Sequence, residues 1–173
     1  HKQCAQLLRD ILRAGRHPNI SGHFIGSVVY IQGDLYSAST THPLLVIDGQ
    51  QRMTTISLLI ACLAEAVARE GVEMSGDMTA KKLRNYYLLN PDEDGEKHFK
   101  LLLTQSDRTT LMRVIDGGEM PKEHSRRVVS NRDLFRERLT EMDADDLRAI
   151  YEGIQKLVIV DVSLDRGHDN PQF

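Results

Sequence analysis

The sequence predicts an α/β (α+β) protein in which three short strands accompany a large helical portion. Apolar, β-branched segments of strand length lie at residues 24–31, 44–47 and 157–164. Around these segments, apolar residues recur every three or four positions, as in amphipathic helices. A length of 173 residues with 40% hydrophobic residues suffices for a single globular domain with its own core.

Composition narrows the classes of function. A net charge of −3 argues against a broadly basic nucleic-acid surface, although it leaves room for a local patch. Cys4 and Cys62 lie far apart and outside any CxxC pair, which favours free thiols and a reducing cytoplasm. No apolar run approaches the roughly 20 residues that a membrane span needs, so no membrane association is expected.

The amino-terminal part is predicted to hold a helix and the first strand. Apolar residues from Cys4 to Leu12 recur at helical spacing, and Gly15 is expected to end that helix. Residues 24–31 (FIGSVVYI) are typical of a strand buried on both faces, with Gly26 permitting a close approach to its backbone. The polar residues 32–43 are predicted to form a long loop between two strands.

A junction between a strand and a helix is the most informative feature. Residues 44–47 form a second apolar strand, and the polar turn DGQQR at residues 48–52 follows it. From Met53 to Val67, apolar residues repeat at helical spacing, which predicts a core helix ending near Gly71. Backbone N–H groups and the positive end of the helix dipole face outward at such a junction, which therefore suits a phosphate or another charged ligand.

The residue types in this turn suit anion chemistry. Gly49 permits a tight turn or a positive φ and leaves the backbone accessible, and Arg52 offers phosphate oxygens a bidentate fork. Asp48 is able to bind Mg²⁺ or to orient a water for attack on a terminal phosphate. Further hydrogen-bonding groups are the amides of Gln50 and Gln51 and the hydroxyls of Thr54 and Thr55.

A purely structural interpretation of the turn stays open beside the functional one. In that interpretation, Asp48 caps the following helix and Gly49 only serves the turn. Arg52 then pairs with Asp48 or with a carbonyl oxygen of the core. The two interpretations predict different surroundings for the same side chains.

The middle of the chain is predicted to be mainly helical. A short helix is expected before the acidic turn at residues 91–95, and a short strand at residues 98–103. Ser106 or Asp107 is expected to cap the helix that follows.

Two further helices and a strand are predicted towards the carboxyl end. Ser130 is expected to cap a helix over residues 131–139. Asp143 is expected to begin another, with Asp146 as its acidic partner in the first turn. Residues 157–164 (LVIVDVSL) are predicted to form a third buried strand.

Three other features are weighed for function. Asp161 lies inside an apolar strand; it either faces the site, lies at a sheet edge or pairs with a basic residue, and a structural role is favoured. His23 either reaches the ligand or is a solvated strand end. The arginines between residues 126 and 138 alternate with acids, which favours a solvated helix face over phosphate contacts. The remaining histidines show no metal-ligand spacing, and no nuclease triad is visible.

Two segments carry a resemblance to a known family. HFIGSVV at residues 23–29 and LLVIDGQQRMTTISLLI at residues 44–60 resemble the DUF262 family, which includes the GmrSD-type modification-dependent restriction enzymes. The resemblance is densest over residues 1–70. It implies a fold similar to ParB and sulfiredoxin, with a small mixed sheet and a mainly helical insertion at residues 71–155 before a returning strand at residues 156–164.

The family's function implies roles for individual residues. The resemblance implies that the domain binds a nucleoside triphosphate with Mg²⁺ and hydrolyses it to regulate a nuclease in another domain or subunit, in a protein that senses modified DNA. Asp48, Gln51 and Arg52 would act in catalysis, with Asp48 as the possible metal ligand. The residues expected to bind nucleotide are Gly26, Ser27, Gly49, Gln50, Gln51, Arg52, Thr54 and Thr55.

The chain departs from the family pattern at both ends. The family's Trp-containing segment before the first helix is absent, and so is a Phe-Glu-x-x-Asn helix after the last strand. A fragment of a single larger domain is therefore expected. A ParB-like module that senses nucleic acid without nucleotide turnover remains the alternative function.

Overall fold

The computed structural model describes residues 2–31 and 43–164, and these residues confirm an α/β fold with a small mixed sheet. Part of the predicted loop, residues 32–42, lies outside the described residues. In chain order the elements are helix α1 (Lys2–Arg16), strands β1 (His23–Ile31) and β2 (Leu45–Asp48), helices α2 (Gln50–Glu70), α3 (Ala80–Tyr87), α4 (Gln105–Asp116), α5 (Arg126–Thr140) and α6 (Ala144–Gln155), and strand β3 (Leu157–Leu164).

The sheet has the order β2-β1-β3. β1 pairs antiparallel with β2 and parallel with β3, so the sheet is mixed. The register between β1 and β3 shifts between Phe24 and Ser27, which places an irregularity at Gly26.

The sheet is far less buried than its composition predicts. In β1 only Val28 and Ile31 are buried, and in β3 the valines at 158 and 160 are 46% and 50% exposed. The prediction that both strands are buried was therefore wrong. The reason is packing: among the described residues the helices pack mainly on one another, so neither strand is covered on both of its faces.

α2 is the central helix of the core. Its middle, from Leu58 to Leu63, is almost completely buried among the other helices, and it ends at Gly71 with φ +62°. Contrary to the sequence prediction, this helix has the length and apolarity of a membrane span; 61% of its most apolar window is buried inside the protein, as expected of a core helix. Burial raises the pKa of the Cys62 thiol to about 12 and also raises that of Cys4, so both thiols are protonated at neutral pH.

Gly15 has a different role from the predicted one. It is the last but one residue of α1, so the helix does end there to within one residue, but the glycine is needed because α1 crosses α6 at this place with backbones in contact. A Cβ on Gly15 would lie 1.8 Å from the carbonyl oxygen of Ala149, and one on Gly153 would lie 2.0 Å from that of Ile11. Two facing glycines thus set the distance between these helices.

Helix boundaries in the second half differ from the predicted ones. α5 begins at Arg126, because Ser125 rather than Ser130 is its cap and accepts a hydrogen bond from the Val128 N–H. Thr104 precedes α4 in place of the predicted caps, without a side-chain hydrogen bond. Asp143 does cap α6 and accepts from the N–H of Asp146, as predicted.

The predicted strand at residues 98–103 is not formed. The chain makes a 3-10 turn over Gly95–His98 and a single bridge between Leu89 and Phe99. Phe99 is buried, so its contribution is an anchor to the core rather than a strand.

Replacing Gly15 by alanine is expected to destabilise the protein although alanine favours helices. The new methyl would collide with the Ala149 carbonyl, and overpacking of this kind costs about 2 kcal/mol or more in free energy of unfolding. Urea denaturation of Gly15→Ala measures the loss. Gly118→Ala is the control, because its Cβ would meet only the flexible Arg113 side chain at 3.4 Å; equal stability of the two variants would contradict the proposed helix contact.

Candidate functional site

The junction between β2 and α2 leaves the amino terminus of α2 open. Gly49 occupies the N-cap position with φ +96° and, having no side chain, gives no capping hydrogen bond to the first turn. The structural alternative in which Asp48 caps this helix is therefore wrong. A Cβ at Gly49 would lie 2.9 Å from the Val28 side chain and 3.0 Å from the Ser27 carbonyl oxygen, so the turn requires glycine.

Arg52 lies against the irregular part of β1. Its Nη1 donates to the carbonyl oxygen of Ser27, and its Nη2 lies 3.7 Å from a carboxylate oxygen of Asp48. Both contacts that the structural interpretation predicts for Arg52, one with Asp48 and one with a backbone carbonyl oxygen, are thus confirmed. The Arg52 side chain nevertheless remains 37% exposed, so the guanidinium is still accessible to a ligand.

Gly26 provides the space for this guanidinium. Its φ is +113°, and a Cβ built on it would lie 2.9 Å from Nε of Arg52. Gly26 was expected to let another group approach its backbone closely, and that group is the Arg52 side chain. Together with Gly49, whose Cβ would lie 3.1 Å from Nη1, it fixes the position of Arg52 from two sides.

The polar residues of the turn have distinct surroundings. Gln50 donates from Nε2 to the Val46 carbonyl at 2.8 Å, which ties the start of α2 to β2. Thr54 is buried and donates to the Gln50 carbonyl, whereas the Thr55 hydroxyl donates to Gln51 O. Gln51 is exposed at the start of the helix.

An open pocket of about 860 Å³ lies over the junction. This volume falls in the range typical of small-molecule sites, roughly 300–1,000 Å³. Its walls come from three places: one face of α1, the first residues of β1, and the turn with the start of α2. The lining residues are Gln3, Gln6, Leu7, Asp10, His23, Phe24, Ile25, Gly26, Ile47, Asp48, Gly49, Gln50, Gln51, Arg52, Thr55 and Ile56.

Most of the predicted site residues meet in this pocket, and their roles stay predictions. Asp48 to Arg52, Thr55 and Gly26 all line it. Ser27 contributes through its carbonyl beneath Arg52, and Thr54 points its hydroxyl at the helix backbone without lining the pocket.

Sequence reasoning missed the wall formed by α1. Its lining positions, Gln3, Gln6, Leu7 and Asp10, follow the spacing of a single helical face, whereas Cys4, Leu8 and Ile11 lie on the buried face. The pattern was visible in the sequence, but nothing there showed that this face meets the turn.

Phe24 was assigned to a buried strand, although it is 62% exposed and lines the pocket.

The other residues weighed for function in the sequence, namely Asp161, His23 and the arginines of α5, differ in their surroundings. Asp161 lies on the edge strand and accepts a hydrogen bond from the Tyr30 hydroxyl at 3.1 Å, so the sheet-edge alternative is confirmed. His23 lines the pocket. The arginines of α5 form surface ion pairs, such as Arg136 with Glu65 at 2.8 Å, as expected of a solvated face. Among residues 2–31 and 43–164, no three metal-ligating side chains cluster.

Comparison with known proteins places these features in a family context. The sequence model of the family described as GmrSD restriction endonuclease, N-terminal domain, matches residues 1–172. A search of the curated proteins finds no match.

Replacing Gly26 by alanine is expected to disturb Arg52 directly. The substitution combines a positive φ with a collision at Nε, so the free energy of unfolding should fall by about 1–3 kcal/mol. In an Arg52→Ala background the collision is absent, and the same substitution should cost less, which a double-mutant cycle by urea denaturation measures.

Gly95→Ala is the control for backbone strain alone. Gly95 also has a positive φ, +62°, but a Cβ there would meet nothing within 4 Å. Additive effects of Gly26→Ala and Arg52→Ala would contradict the proposed contact.

Proposed function

Because the chain belongs to the family of GmrSD restriction endonuclease N-terminal domains, we propose that it binds and hydrolyses a nucleoside triphosphate as the regulatory domain of a restriction system. The observation that supports this most is the combination of an accessible Arg52 with an uncapped helix terminus in one pocket. Uncapped N–H groups and a guanidinium are the groups that proteins use to bind phosphate.

The pairing of Arg52 with Asp48 suits an exchange of partners. The two side chains are 3.7 Å apart, and that of Asp48 is 64% exposed, so their attraction is weak and screened by water. A triphosphate carries more charge than a carboxylate and can replace Asp48 beside Arg52. The Ser27 carbonyl meanwhile keeps Nη1 in place, so Arg52 reaches the phosphate already oriented.

The displaced Asp48 would take a second role. Mg²⁺ bound to a nucleotide usually needs only one or two carboxylates besides the phosphates and water, and Asp48 in the pocket wall meets that need. The metal would offset negative charge that develops on the phosphates. Gln51, exposed at the start of α2, would orient a water for attack on the terminal phosphate.

Coupling to other parts of the restriction system extends the proposal. A nuclease in another domain or subunit would respond to nucleotide turnover at this pocket, and modified DNA would be sensed by the whole assembly. We expect the protein to act in the cytoplasm, where its DNA and nucleotides are.

Arg52→Ala is expected to lower nucleotide hydrolysis by about 100-fold, the usual effect of removing one group that stabilises charge on the reacting phosphate. Phosphate release in the presence of Mg²⁺ measures it. Arg69→Ala is the matched control, because Arg69 lies on the same helix with similar exposure, 44%, but at the opposite end and paired with Glu70.

Two outcomes would contradict the proposal. Equal hydrolysis by wild type and Arg52→Ala would remove Arg52 from the reaction. Binding of modified duplex DNA that needs Arg52, without any nucleotide binding, would support the sensing module without turnover instead.

A further inference from the structure

The pocket extends well beyond the groups that would hold phosphate. Arg52 and the turn occupy one part of its wall, and the remainder is formed by α1 and the first residues of β1. A triphosphate alone would leave this remainder unfilled. The side chains that line the rest of the pocket therefore indicate which other chemical groups the ligand carries.

Phe24 is the most unusual residue of that part. It is a large aromatic side chain, 62% exposed, on the central strand of the sheet next to the irregularity at Gly26. Exposing an aromatic ring to water costs free energy that burial would recover. A flat, apolar ring at the edge of a pocket is the usual partner of a nucleobase, because every base offers a π-face for stacking.

The face of α1 supplies polar groups to the same pocket. Gln3, Gln6 and Asp10 line the pocket, and no hydrogen bond to their side chains is formed within the described residues. Amides and carboxylates are the groups that distinguish base edges and sugar hydroxyls. Leu7 lies among them and adds apolar surface.

Close packing against α6 and the core holds α1 in its position. Its contact with α6 through Gly15 and Gly153 admits no side chain, and its buried face packs into the core. Close packing of this kind resists displacement, which favours discrimination between ligands.

We propose that Phe24 and the Gln3, Gln6 and Asp10 face of α1 form the nucleoside-binding part of this pocket, with Phe24 stacking on the base and Gln6 contributing to base preference. This inference rests on the proposed function. It assigns specificity to residues outside the DGQQR turn and gives the pocket two functional ends, one for phosphate and one for base.

The test compares ligands with and without a base. Binding of non-hydrolysable analogues of ATP, GTP, CTP and UTP and of inorganic tripolyphosphate is measured by calorimetry with Mg²⁺ for wild type, Phe24→Ala, Phe24→Tyr and Gln6→Ala. Phe24→Ala should weaken binding of the preferred nucleotide about tenfold, the effect of one lost stacking contact, and leave tripolyphosphate unchanged. Phe24→Tyr should bind as wild type does, and Gln6→Ala should reduce the difference between the four nucleotides.

Tyr86→Ala is the matched control. Tyr86 is 61% exposed, almost the same as Phe24, but lies on α3 and does not line the pocket. Its removal should change no affinity. Because Phe24 is largely exposed, loss of binding through unfolding is not expected, and circular dichroism checks it.

The outcomes separate this inference from the proposed function. Nucleotide binding that requires Arg52 but is unaffected by Phe24→Ala would overturn the inference and leave the function standing. An equal loss of nucleotide and tripolyphosphate affinity in Phe24→Ala would also overturn it. Absence of binding by every probe to the wild type would overturn both.

Discussion

The contact between Arg52 and the backbone of β1 determines the geometry of the whole site. The guanidinium lies where Gly26 has no side chain, and it donates to the Ser27 carbonyl exposed by the irregularity in the strand. This one contact joins the first strand to the first turn of the central helix. It also orients the charge that the proposed function requires, before any ligand arrives.

Each element around this contact depends on a small residue at a fixed place. Gly49 lets β2 turn into α2 without a side chain between the helix terminus and the pocket. Gly15 and Gly153 let α1 pack with its backbone against that of α6, and the polar face of α1 forms part of the pocket wall. The pocket is therefore a product of backbone proximity, and its specificity is set by the side chains that remain exposed.

Much of this arrangement could be predicted from sequence, for local reasons. Hydrophobic periodicity over residues 53–67 and the glycine at 71 indicate the central helix, and both are confirmed. The strand, turn and helix around residues 44–60 identify the junction and the family, which the match over residues 1–172 confirms. These features depend on neighbours in the chain.

What could not be predicted depends on distant parts of the chain. Residues 157–164 have the composition of a buried strand, yet β3 lies at the edge of the sheet, and strand order is not visible in composition. The end of α1 near Gly15 was predicted, but its contact with the backbone of Ala149 joins residues far apart in the chain and could not be. The α1 wall was missed for the same reason. Its polar face has the spacing of any solvent-exposed helix face, and only the fold shows that it lines the same pocket as the turn.

The most direct test of the account is a crystal structure with a non-hydrolysable nucleoside triphosphate analogue and Mg²⁺. We expect phosphates at the amino terminus of α2, in contact with Arg52 while Asp48 has moved away from it, and a base against Phe24. An analogue bound elsewhere, or one bound in the pocket with its phosphates away from Arg52, would contradict the central claim.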